Sequence, residues 1–102
     1  MNQVIPVIAF DGDRELLLTE QEIKQEESPE KVLTLLAGTM VYRDLMMNNP
    51  EFKHKSDPNT VVLLTRGYRV LTQRLMEQIG LVPALNKVAA IQMNINQLNS
   101  EA

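Results

Sequence analysis

The chain contains no cysteine and no tryptophan, a single histidine (His54), and four aromatic residues in all: Phe10, Tyr42, Phe52 and Tyr68. Lack of cysteine excludes disulfide scaffolds, thiolate metal sites and thiol nucleophiles. The four glycines, at positions 12, 38, 67 and 80, stand singly, so no loop resembles a phosphate cradle. A hydroxyl nucleophile needs a base that a third group orients. Here His54 lies between Lys53 and Lys55, Ser28 looks like a helix cap, Ser56 falls in the same loop as His54, and Ser100 is near the end. That pattern lacks the parts of a catalytic triad, and we expect neither enzyme activity nor a cofactor. No apolar run approaches the roughly 20 residues of a membrane span. The N-terminus also lacks the basic flank and apolar run of a signal peptide. Both absences lead to the expectation of a cytoplasmic protein without membrane partners.

What is present suits one small domain. The 102 residues are 44% apolar and 23% charged, an ordinary globular balance. With aromatics scarce, the core must come from Leu, Val, Ile, Ala and some of the six Met. Net charge is −3, unevenly spread. Eight acids against Arg14 and Lys24 make residues 1–30 acidic, whereas residues 31–102 carry more bases than acids. Such a layout is compatible with self-association or with a partner for each half.

Residues 3–10 are β-branched and aromatic, which favours a strand, and because Pro6 cannot donate to a ladder it is an edge strand or one interrupted early. Asp11-Gly12-Asp13 is a turn signal, and Arg14 to Leu18 can return as a second strand. Thr19 and Glu22 have capping-box spacing and predict a short acidic helix to about Glu27. Ser28-Pro29-Glu30 starts a second helix that is apolar around much of its girth and ends at Asn49-Pro50. Residues 49–59 read as a loop. A third helix begins near Asp57-Pro58 or Asn59-Thr60, with a regular seam of Val61, Leu64, Tyr68, Leu71 and Leu75, and stops at Gly80. After Val82-Pro83, the row Ala84, Val88, Ile91, Ile95 and Leu98 predicts a fourth helix. Alternation of Ile91, Met93 and Ile95 with Gln92, Asn94 and Asn96 is the competing strand pattern, and segment length favours the helix.

Four groups of residues bear on function. Counting from Asp11, acids or hydroxyls fall at the calcium-loop places one, three, five, nine and twelve (Asp11, Asp13, Glu15, Thr19, Glu22). The sixth place, where such a loop needs Gly, is Leu16, and a turn followed by a cap accounts for the same residues. Lys53, Lys55, Arg66, Arg69 and Arg74 form a loose basic group. Arg66, Arg69 and Gln73 share a helical face opposite the Val61–Leu75 seam. An outward Arg row can track nucleic-acid phosphates, and it is equally a solvated face. The acidic total and the want of stacking aromatics oppose the phosphate reading. Finally, Met40, Met46 and Met47 gather beside Tyr42, either as an adaptable interface or as core filler. From Pro83 to Ser100 the only charge is Lys87, and polarity comes from amides such as Gln92 and Asn96. A solvated helix usually carries Glu and Lys pairs, so this one is suited to packing on more than one side.

The expectation is therefore a mainly α fold, a three- to four-helix bundle with an N-terminal β-hairpin or extended segment. It is one domain: hairpin over 1–18, helices over 19–48, loop over 49–59, helical hairpin over 60–102. Its role would be that of a non-catalytic interaction subunit, adaptor or assembly factor that binds a protein partner or itself. Short chains of this kind are common in phages and mobile elements. A nucleic-acid-associated subunit and a calcium-responsive module at residues 11–22 are the alternatives.

Overall fold

The computed structural model describes residues 4–53 and 57–101. Elements run β1 (Pro6–Asp11), β2 (Arg14–Thr19), α1 (Glu20–Gln25), α2 (Pro29–Asn48), α3 (Pro50–Lys53), α4 (Pro58–Ile79) and α5 (Leu81–Glu101). The fold is mainly α with a minor β-hairpin. His54, Lys55 and Ser56 lie outside the described residues.

Local chemistry sets most of these boundaries. The hairpin turns on Gly12 and Asp13, and Gly12 sits at φ 62°, while among the described residues only glycines take a positive φ. Glycine first in a two-residue loop matches the turn whose twist suits the strands. Thr19 begins α1 with a full capping box: the Glu22 amide donates to Thr19 Oγ1, and the Thr19 amide donates to Glu22 Oε1, both at 3.1 Å. Ser28 accepts from the Lys31 amide ahead of Pro29, and Asp57 accepts from the Asn59 amide ahead of Pro58. Gly80, at φ 94°, alone separates α4 from α5.

The predicted loop over 49–59 is corrected in part. Asn49 Oδ1 accepts from the Glu51 amide at 2.9 Å and starts the single turn of α3. The signal is the Asx-Pro pair that also opens α4, read in the sequence as a terminator. The last segment is helix throughout, which removes the competing strand reading.

β1 lies across α2 and α4 and is buried on both faces. Val7 and Ala9 face the main core with Ile23, Val32, Leu36, Leu71 and Leu75, whereas Ile8 and Phe10 meet Leu64 on the other side. Phe10 stacks on Tyr42 with ring centroids 4.2 Å apart. Because Asp11 and Arg14 flank a two-residue turn, they are a hydrogen-bonded pair. By alternation, the polar groups of Pro6, Ile8 and Phe10 then point away from β2, toward the helices. Each helix meets them with a small or polar residue. The Phe10 amide donates to Thr39 Oγ1 at 3.0 Å, and Arg66 Nη1 donates to the Pro6 carbonyl at 2.9 Å. Gly67 and Gly38 lie against the carbonyls of Ile8 and Phe10, where any Cβ would collide. The helices thus cover the inner edge of β1, as an otherwise open strand edge requires. Burying each large apolar side chain of this wedge contributes about 1.5–3 kcal/mol, more than any single cap.

α4 and α5 form a helical hairpin that also touches α2. The molecule spans 42 × 31 × 18 Å, so its thin direction holds little more than two packed layers. One side of α5 is consequently left without a neighbour.

Candidate protein interface

The two heptad rows differ in how completely they are buried. On α4, Leu64, Leu71 and Leu75 are at most 1% exposed, with Val61 and Tyr68 half-buried. On α5, Ala84 and Ile95 are buried and Val88 and Ile91 half-buried, but Leu98 is 63% exposed. The predicted seam is thus open at its last member, Leu98.

A second apolar row lies on α5. Val82, Leu85, Ala89 and Met93 are spaced three, four and four residues apart and all are exposed, Val82 at 66% and Met93 at 70%. At 100° per residue this row is centred roughly 130° around the helix from the buried one. Its flanks on α5 are Asn86, Ala90 and Gln97 on one side and Gln92 and Asn99 on the other, none of them ionised, and Arg43 and Asp44 of α2 border the second side. Gln92 Nε2 donates to Asn96 Oδ1 at 3.0 Å, and Asn99 donates to Asp44 Oδ2 at 3.2 Å, which ties this end of α5 to α2. Lys87, the one cation of the helix, sits well away from the row. The row went unread in the sequence because the Ala84–Leu98 seam already accounted for the helix. The signal that reveals it is the same three–four spacing counted from Val82.

The three methionines do not form one surface. Met40 is 6% exposed in the core, Met46 packs against the Ile8–Phe10–Leu64 cluster, and Met47 alone is exposed, at 43%. Met46 points about 100° away from Met47, whereas Met40 and Met47, seven residues apart, share a face of α2 and line the same hollow, Met40 buried and Met47 exposed. Met47 lies beside Gln92 at the edge of a shallow hollow between α2 and α5, next to the exposed row.

The basic residues do not act as one group: Arg66 and exposed Arg69 line a shared open hollow on α4, whereas Arg74 does not. Arg66 is bound to the Pro6 carbonyl. Arg74 points inward: its side chain is only 19% exposed, its Nε donates to the Glu26 carbonyl at 2.9 Å, and it lies 3.9 Å from Glu77. Gln78 donates to the same carbonyl at 2.8 Å. Both residues close the C-terminal end of α1 onto α4. Arg69 is exposed. Lys53 ends α3, and Lys55 is outside the described residues.

At residues 11–22 the carboxylates are dispersed. Asp11 pairs with Arg14 at 3.8 Å across the turn, Glu15 stands on β2, and Glu22 is engaged by Thr19. Among the described residues, no three His, Cys, Asp or Glu side chains converge as a metal set. A cleft of about 290 Å³ opens nearby, with Leu16, Leu18, Ile23 and Val32 at its floor and Arg14, Glu22, Glu26 and Lys31 at its rim. Lys31 is 3.9 Å from Glu26. Arg14 is held by Asp11, and Glu22 accepts from the Thr19 hydroxyl.

No family model, no curated protein and no solved structure matches the chain. No helix among the described residues is long and apolar enough to cross a membrane.

Proposed function

We propose that the chain is a non-catalytic interaction subunit, an adaptor or assembly factor, that docks through the exposed face of α5. The single observation that carries this reading is the uncovered Val82–Leu85–Ala89–Met93 row on a helix whose flanks hold amides in place of charges. Scattered exposed apolar residues are normal on any surface, but a contiguous row at helical spacing is how helices dock on one another. A helix exposed to water along this face would ordinarily be ringed with Glu and Lys. Exposed Met47 beside the row extends the soft surface.

The test is the size of the native complex. Tagged wild-type chain, expressed in its own cell, should elute in an assembly of fixed composition. The Leu85→Glu/Met93→Glu variant should elute free of it while keeping its melting temperature. An unchanged assembly in the variant would remove α5 from the interaction.

A further inference from the structure

The outer edge of β2 is open, whereas the inner edge of β1 is sealed by helices. In the Asp11–Arg14 register, Ala9 with Leu16 and Val7 with Leu18 are the hydrogen-bonded pairs. The N–H and C=O groups of Glu15 and Leu17 therefore turn away from β1. Among the described residues no hydrogen bond reaches them, and both residues are exposed, Leu17 at 72%. The open edge ends at Thr19, whose amide donates to Glu22. The side chains tell the same story. A strand with one face in water alternates apolar and polar residues, but Leu16-Leu17-Leu18 is apolar on both faces, as buried β1 is. Proteins commonly guard such an edge with Lys or Pro at its centre, and Leu17 is neither. Leu16 and Leu18 project to the helix side, where they share the floor of the cleft of about 290 Å³ with Ile23 and Val32.

We propose that this edge takes an extended segment of another protein as a third strand, apolar at its centre and flanked by Lys or Arg. Main-chain bonds to Glu15 and Leu17 supply the affinity and the cleft supplies selectivity, the usual division in strand addition. Residues of the added strand opposite Leu16 and Leu18 share their side of the sheet and lie over the cleft. The residue opposite Leu17 covers its bare side chain. Charge selects the flanks. Residues 1–30 hold eight acids against two bases. Asp13, Glu15 and Glu20 stand at the ends of β2, and among the described residues none of them has an ion pair. Arg14, the one base of the strand, lies 3.8 Å from Asp11. The same charge rejects a second copy, because pairing β2 with itself brings two acidic thirds together. α5 lines neither the edge nor the cleft, so this surface stands apart from the α5 reading, and a chain engaged on both joins two partners.

The test uses the whole chain and a fluorescent synthetic peptide, Lys-Lys-Leu-Val-Leu-Lys-Lys, followed by anisotropy. The peptide should bind saturably, roughly in the upper micromolar range because the contact is small, and more weakly as salt rises. Methylating the backbone nitrogen of its central valine, which turns to β2, should lower affinity about tenfold. Methylating the two leucine nitrogens, which turn to solvent, should leave it nearly unchanged. Solvent exchange of the Glu15 and Leu17 amides, read by NMR, should slow on binding. Leu17→Pro removes an outward donor while sparing the ladder to β1, and should abolish binding at unchanged helicity. Equal losses from the two methylation patterns, or equal affinity for the peptide with Glu in place of each Lys, would overturn the proposal. So would peptide that binds without slowing the two amides, or no binding at millimolar peptide. Amides that slow with protein concentration alone would make the occupant a second copy and overturn it too. None of these outcomes bears on the α5 experiment, which reads Leu85 and Met93.

Discussion

Replacing Gly67 with alanine tests how β1 is held. In an exposed helix interior the change from Gly to Ala stabilises by roughly 1 kcal/mol, because the backbone loses less freedom on folding. At Gly67 the new Cβ would be driven into the Ile8 carbonyl oxygen, with Ile8 C at 3.2 Å and Val7 Cβ at 3.7 Å. These are strand atoms anchored on both sides. Pro6 is held by Arg66 and Phe10 by Thr39, so the strand cannot swing away as a flexible side chain would. Accommodating the methyl means shifting β1 from α4, an overpacking at the upper end of its usual cost, about 2–3 kcal/mol, because the atoms met are anchored backbone. The steric cost outweighs the helical gain, leaving a net loss of about 1–2 kcal/mol. For a chain of this length that is a fall in Tm of roughly 4–16 °C. Thermal unfolding followed by circular dichroism, with Gln73→Ala on the exposed face of the same helix as control, measures it. A Tm equal to or above wild type for Gly67→Ala would refute the close seating of β1 on α4.

Other substitutions read separate links of the fold. Thr39→Val removes the acceptor of the buried Phe10 amide and should cost about 1–3 kcal/mol in chemical denaturation, with Thr39→Ser recovering most of it. Thr19→Ala breaks the capping box and should cost about 1 kcal/mol. Arg74→Ala should lower stability measurably through loss of the bond to the Glu26 carbonyl and its packed stem, whereas exposed Arg69→Ala should change it by no more than about 0.5 kcal/mol. Equal effects of the two arginine changes would contradict the inward role of Arg74.

Features governed by neighbours in sequence were legible. Gly12 at the turn, Thr19 with Glu22, Ser28-Pro29 and Asp57-Pro58 each act within one turn of chain, and each appears where its chemistry requires. Features that depend on distant chain were not. Gly38 and Gly67 read as isolated glycines in helices, and their purpose appears only when β1 arrives from 28 or more residues away. Arg66 and Arg74 were placed correctly on α4, but nothing local foretells that the carbonyls of Pro6 and Glu26 await them. The methionine group failed for a simpler reason. Met46 points about 100° away from Met47, while Met40 and Met47 share a face and differ in exposure because Met47 stands in the last turn of α2. The amide-rich, charge-poor character of α5 was legible, together with its suitability for contact on more than one side. Which residues make the free side was not, because it depends on which row α4 and α2 had already covered.

The central claim is that this chain works by contact through the outer row of α5, and a photo-activated cross-linking residue placed on that row tests it most directly. Introduced at Leu85 or Met93 and irradiated in the native cell, it should give a discrete adduct, either a second copy or one defined protein. The same residue at Gln73, on the outward side of α4, should give none. Adducts from position 73 with silence at 85 and 93 would contradict the account.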